Sequence, residues 1–203
     1  MTKIKICGIT NLKDALDAVD LGADYLGFNF YKKSPRFVDK EKAKKIIEKI
    51  PDVKTVGIFV NHSIEEIKKI SDICGLDIIQ LSGDESINFT EKLHNKIGKK
   101  IIKTVRIKNK KDLTKIKDFK GYYILLDSFK EGFYGGTGRT FDLKLAKPVK
   151  GRKIFLSGGL NEHNVKNAVD YSRPFAVDVC SGIEKIKGIK DHKKMKEFIE
   201  VLK

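Results

Sequence analysis

Along the chain, short apolar runs with strand character alternate with longer segments in which apolar residues recur every three or four positions. The runs are Lys3 to Cys7, Asp24 to Phe28, Lys54 to Val60, Asp77 to Leu81, Lys100 to Arg106, Gly121 to Asp127, Arg152 to Ser157 and Pro174 to Val179. Between the first two, Leu12, Ala15, Leu16 and Val19 lie at i, i+3, i+4 and i+7 behind the candidate cap Asn11, and Gly22 stands where a helix-closing glycine is expected. The next helix is expected to open at Asp39, to bury Ala43, Ile46 and Ile47, and to stop before Pro51. A third begins with Ser63 and Glu66, the spacing of a reciprocal cap, and ends at Gly75. Further apolar stripes run over Ile87 to Ile97, Leu113 to Ile116, Val165 to Val169 and Met195 to Leu202, with at best a short helix from Phe141 to Ala146.

Strict alternation of strand and helix implies parallel strands joined by right-handed crossovers. Eight such units can close into a (β/α)8 barrel, an α/β fold spanning residues 1–203 as one catalytic domain. The alternative is an open doubly wound sheet. Its usual nucleotide signatures are missing, since neither Gly-x-Gly-x-x-Gly after the first strand nor Gly-x-x-x-x-Gly-Lys-Ser/Thr occurs. The barrel is therefore the favoured reading.

Charge narrows the partners. Lys and Arg number 42 against 27 Asp and Glu, a formal net charge of +15, and the excess is lysine spread along the chain rather than gathered in a tail. Such a field attracts anions, either nucleic acid or a small phosphate or carboxylate. No basic stripe interleaved with aromatics, zinc-finger spacing or helix-turn-helix spacing is present, so the small phosphorylated molecule is the expected partner and nucleic acid is not. Cys7, Cys74 and Cys180 include no Cys-x-x-Cys pair, which argues against a disulfide framework or a structural zinc site and for a reducing cytoplasm. No apolar run approaches the 18 or so residues of a membrane span, and no leader peptide precedes the first strand, so no membrane partner is expected.

In a barrel the chemistry sits on loops leaving the C-terminal ends of the strands. The first strand ends in Cys7-Gly8, the second leads to Ser34-Pro35-Arg36, and the sixth ends in Asp127 ahead of a glycine-rich loop containing Gly135, Gly136 and Gly138. The seventh gives Ser157-Gly158-Gly159, and the eighth gives Asp178, then Cys180-Ser181-Gly182. Small residues directly ahead of helix starts let backbone N–H groups approach phosphate oxygens, although either loop alone also reads as a tight turn. Taken alone, Cys7 reads as a small core hydrophobe, and Asp127 as a cap or an ion-pair partner. At the mouth of a barrel, cations and a phosphate-binding loop would instead favour the Cys7 thiolate, and Asp127 would deliver a carboxyl to the same mouth. The 135–138 loop reads as a cover over a polar substrate. His62, His94, His163 and His192 have no metal-ligand spacing and read as surface residues, so no metal is implied.

Taken in order, these segments resemble the phosphoribosylanthranilate isomerase family of tryptophan biosynthesis, over essentially the whole chain. Carrying the resemblance are Lys5-Ile6-Cys7-Gly8-Ile9-Thr10, Ser34-Pro35-Arg36, Gly57-Ile58-Phe59-Val60, Gln80-Leu81, Leu126-Asp127-Ser128, Gly135-Gly136-Thr137-Gly138, Phe141-Asp142, Ser157-Gly158-Gly159-Leu160, and Asp178-Val179 with Ser181-Gly182-Ile183-Glu184. The resemblance implies an Amadori rearrangement of N-(5-phosphoribosyl)anthranilate to 1-(2-carboxyphenylamino)-1-deoxyribulose 5-phosphate, without a cofactor. It makes Asp127 the general acid and Cys7 the general base, pairs Arg36 with the anthranilate carboxylate, and offers Asp178 to the sugar hydroxyls. The phosphate would rest on the backbone of 135–138, Gly158, Gly159, Ser181 and Gly182. A homodimer is among the assemblies left open.

Departures from the family pattern are Ser82 where a histidine is usual, Cys180 in place of serine, Asn161-Glu162-His163-Asn164 without the common proline, and Leu143 in place of tryptophan. Other phosphosugar barrels, such as an epimerase or indole-glycerol-phosphate synthase, would need a metal-ligand set or a catalytic lysine at a strand end. Neither constellation is visible. Outside enzymes, the rival is a basic nucleic-acid-binding module.

Overall fold

Eight parallel strands close on themselves in chain order in the computed structural model, which describes residues 1–128 and 152–203. They are β1 (Lys3–Cys7), β2 (Tyr25–Asn29), β3 (Lys54–Phe59), β4 (Ile78–Leu81), β5 (Lys100–Ile107), β6 (Tyr123–Ser128), β7 (Ile154–Leu156) and β8 (Ala176–Val179). The last pairs with the first, Lys5 opposite Asp178 and Ile6 opposite Val179. Around the described part of the barrel lie α1 (Leu12–Asp20), α2 (Lys40–Ile47), α3 (Ile64–Cys74), α4 (Ile87–Ile97), α5 (Val165–Ser172) and α6 (His192–Glu200). The glycine-rich loop with Gly135, Gly136 and Gly138, and the expected helix from Phe141 to Ala146, lie outside the described residues.

The predicted helix ends are present. Asn11 and Asp39 cap α1 and α2 by accepting from Asp14 N and Lys42 N, Ser63 and Glu66 form a reciprocal cap on α3, and Gly75 closes that helix in the left-handed conformation. Two expectations need correction. The apolar stripe from Leu113 to Ile116 belongs to a 3₁₀ helix, Lys110–Asp118, in which Asn109 and Asp112 cap each other. His192 is not simply a surface residue: its Nε2 lies 2.8 Å from Asp14 Oδ1 and its other ring nitrogen contacts Asp17, tying α6 to α1.

Strand alternation sorts the side chains into two layers. Outward-facing Ile4, Ile6, Leu26, Phe28, Ile79, Leu81, Leu126 and Leu156 pack against the helices. The inward-facing set begins apolar: Tyr25, Val56, Ile78, Ile102, Leu125, Phe155 and Ala176 form a plug, with Tyr25 and Phe155 edge to face at 5.4 Å. One pleat further toward the C-terminal end the inward positions turn polar, as Leu125 gives way to Asp127, Phe155 to Ser157 and Ala176 to Asp178. The plug is therefore the floor of an open mouth. Among the described residues no helix is long and apolar enough to cross a membrane.

Candidate active site

That mouth holds a cavity of about 450 Å³ lined by Cys7, Arg36, Asp127, Asp178 and Cys180 and by the turns at Gly158, Gly159, Ser181 and Gly182. All the described residues singled out from sequence thus converge on one space. Gly158 and Gly159 have φ of 96° and 66°, a left-handed pair that side chains would strain. A Cβ on Gly182 would run into the carbonyl oxygen of Leu160, so the two candidate phosphate turns pack backbone to backbone. Asn164 staples the first, donating to the Gly159 carbonyl at 2.9 Å while its side-chain oxygen accepts from Asn161 N.

Cys7 projects beside Gly27, where a Cβ would come within 2.9 Å of the Cys7 sulfur, so the glycine makes room for the thiol. Beneath it lies Lys5, 0% exposed, donating to Asp178 Oδ1 at 2.6 Å. Burial works against the Lys5 ammonium, but Asp178 and then Cys7 outweigh it and hold Lys5 above the ordinary lysine range. Sequence reading missed Lys5, although the alternation that points Cys7 inward points Lys5 inward too.

The sequence expectation of a thiolate on Cys7 needs revision. Cys7 is held well above the usual thiol range by its hydrogen bond with Cys180 and by burial, against the pull of Lys5. Cys180 falls to about 7: the same hydrogen bond lowers it, burial opposes, and Lys190 and Arg36 add to the lowering. Lys190 Nζ is 3.9 Å from the Cys180 sulfur and 3.4 Å from Glu184 Oε1. It arrives on a hairpin that sequence reading did not anticipate, β9 (Glu184–Ile186) and β10 (Ile189–Lys190). In the resting pair the first negative charge therefore settles on Cys180.

Arg36 is buried, and its Nε and Nη2 donate to Glu184 Oε1 and Oε2 at 2.8 and 2.6 Å. The planar match expected for a substrate carboxylate is thus made on one edge by a residue of the chain itself, leaving the Nη1–Nη2 edge as the one a ligand would use. Asp127 is 7% exposed and sits opposite Arg106 in the β5–β6 register. Three strand steps separate it from Cys7 by way of β7 and β8, across the mouth. The Ser82 hydroxyl lies 2.9 Å from Thr104 Oγ1 and accepts from Gln80 Nε2, while Gln80 Oε1 is buried without a hydrogen-bond partner among the described residues. The residue that departs from the family pattern thus closes a polar network on the cavity floor.

A closed parallel barrel with a thiol pair, a buried cation and a carboxyl at its C-terminal mouth defines a (β/α)8-barrel enzyme. The chain belongs to the N-(5'-phosphoribosyl)anthranilate isomerase family, and with it to the isomerases that shift oxidation level within one molecule. The family described as N-(5'phosphoribosyl)anthranilate (PRA) isomerase matches residues 4–201. The isomerase of Aquifex aeolicus is 48% identical over 206 residues, covering 98% of both chains. The Thermotoga maritima crystal structure aligns with a TM-score of 0.92 at 42% identity over 99% of this chain and 98% of that one. Monomers generated from that dimeric protein align at 0.88, with 41% identity and the same coverage. A family structure in complex with reduced 1-(o-carboxyphenylamino)-1-deoxyribulose 5-phosphate aligns at 0.88, with 40% identity over 98% and 97%.

Proposed function

We propose that this chain converts N-(5'-phosphoribosyl)anthranilate into 1-(2-carboxyphenylamino)-1-deoxyribulose 5-phosphate by general acid and base catalysis in the barrel mouth. The observation that carries this reading is that Cys7 and Asp127 line one cavity from strands three steps apart, with Lys5 buried beneath the thiol. Asp127 gives its proton to the ribose ring oxygen, and the C1–O bond opens to leave a Schiff base. Cys7 then removes the C2 proton, and the resulting enolamine tautomerises to the ketone. Each such proton transfer is worth about 10²- to 10⁴-fold. Cys7 becomes the base when its proton passes to Cys180, which places the single thiolate of the pair against the Lys5 ammonium.

Arg36, held flat by Glu184, presents its remaining edge to the anthranilate carboxylate, and Asp178 accepts from the sugar hydroxyls. The phosphate takes the backbone amides of the Gly158–Gly159 and Ser181–Gly182 turns together with Gly135, Gly136 and Gly138. Packing of the two described turns against each other and the left-handed glycines support that placement. The reaction needs neither cofactor nor metal, its partner is a small phosphorylated molecule rather than nucleic acid or membrane, and its setting is the cytoplasm. Likeness to a Thermotoga maritima protein described as dimeric supports a homodimer, which light scattering on purified protein tests.

The decisive experiment gives purified protein freshly made phosphoribosylanthranilate, with and without chelator, and follows the loss of its fluorescence. Turnover in both arms is expected; absence of turnover in both overturns the assignment. Cys7→Ala and Asp127→Asn should each lower kcat at least about a hundredfold with the circular dichroism spectrum unchanged. A rate near wild type in either variant removes that residue from its role.

A further inference from the structure

Cys180 stands where the family usually carries serine, so this chain places a second thiol beside the first. Ile6 lies opposite Val179 across the β1–β8 seam, and Cys7 and Cys180 are the residues that directly follow this pair at the barrel mouth. Neighbouring strands run roughly 4.8 Å apart, inside the range of about 4.4–6.8 Å between Cα atoms that a disulfide spans. Both side chains line the same cavity, and both are free and half-buried. We infer that Cys7 and Cys180 form a reversible modification site, closed by a small-molecule disulfide oxidant into an intramolecular disulfide across the barrel mouth.

Cys180 is the attacking sulfur. Lys190 Nζ lies 3.9 Å from it and supports a thiolate, and the cavity gives a small disulfide access. Its thiolate attacks one sulfur of the reagent, the reagent S–S bond breaks, and one thiolate leaves. Cys7, having given up its proton to solvent, then attacks the Cys180 sulfur of the mixed disulfide and expels the second thiol. Two protein thiols are oxidised and one reagent disulfide is reduced to two thiols. Cys74 is the internal contrast: it is 3% exposed, donates to the Lys40 carbonyl, and burial pushes its thiol up to about 11. The expected loss of turnover rests on the acid and base reading above; the linkage itself does not.

The test incubates the native full chain with oxidised glutathione, counts free thiols and identifies cross-linked peptides by mass spectrometry. Expected are a fall from three free thiols to one, a mass lower by two hydrogens, a peptide joining Cys7 to Cys180, and loss of turnover that dithiothreitol reverses. Cys74→Ser should still form the link. Cys180→Ser should lose it, with any modification of Cys7 appearing as an added glutathionyl mass. Three persisting thiols, or mixed disulfides without the Cys7–Cys180 peptide in the wild-type chain, would overturn the inference. A link that forms while turnover continues would uphold the modification site and remove Cys7 from the role of base.

Discussion

Lys5 and Lys103 are each buried on a barrel strand, and each holds a carboxylate at 2.6 Å, Asp178 in one case and Glu85 in the other. Lys5 points into the mouth, under the thiols. Lys103 points out of the barrel, donates also to the Gly83 carbonyl at 2.9 Å, and lies 6.0 Å from the centre of the Phe119 ring. Burial pulls both ammonium groups down. At Lys5 the Asp178 carboxylate, and after it the Cys7 sulfur, outweigh it, whereas at Lys103 burial, reinforced by Arg106, prevails over Glu85. The same pair of residue types thus carries opposite electrostatic consequences. A raised lysine stabilises the fold below about pH 10.5 and loses that contribution as its own higher pKa is passed; a lowered one makes the fold more stable as pH rises toward 10.5.

Breaking the two pairs should separate chemistry from architecture. Lys5→Met is expected to lower kcat at least about a hundredfold, because Cys7 loses the cation that favours its thiolate, and to cost roughly 3–5 kcal/mol for leaving Asp178 buried and unpaired. Adding Asp178→Asn should recover stability in denaturant titrations without recovering the rate. Lys103→Met should cost a similar roughly 3–5 kcal/mol through Glu85 while kcat stays near wild type, and Lys103→Met with Glu85→Gln should regain most of it. If Lys103→Met proves as damaging to kcat as Lys5→Met, the contrast between the two pairs collapses.

Smaller effects sharpen the picture at the mouth. Arg36→Lys should raise KM about tenfold or more while changing kcat less, since an ammonium cannot hold Glu184 and a ligand carboxylate with two planar edges. An unchanged KM would take the substrate carboxylate away from Arg36. Because one ionisation of the thiol pair is required, kcat/KM should rise with pH through about 7. Cys180→Ser should move that limb upward, as the remaining thiol keeps its burial cost and loses the partner that holds charge between Lys190 and Arg36. A limb that does not move would show that Cys180 has no part in the ionisation.

Most of the fold was legible because its signals are local. The period of two along Lys3–Cys7, the period near 3.6 behind Asn11, and the Ser63 and Glu66 cap each report the geometry of a few neighbouring residues, and the structure has each where the sequence placed it. The apolar stripe after β5 marks a helix without distinguishing an α from a 3₁₀ helix, since both share that spacing over so short a stripe. The hairpin ahead of α6 was not read because its strands are two and three residues long.

Cys7, Arg36, Asp127 and Asp178 were named from their places at strand ends, and closure of the barrel brings all four to one cavity. Their states were another matter. The thiol more easily ionised is Cys180, the Arg36 fork already holds Glu184, and the cation beneath Cys7 is Lys5, through contacts that join residues up to 173 positions apart. Residue type and period reside in the order of the chain and can be read there. Ionisation depends on which charges stand within a few ångströms and how much water is excluded, and those distances exist only once β8 has closed on β1.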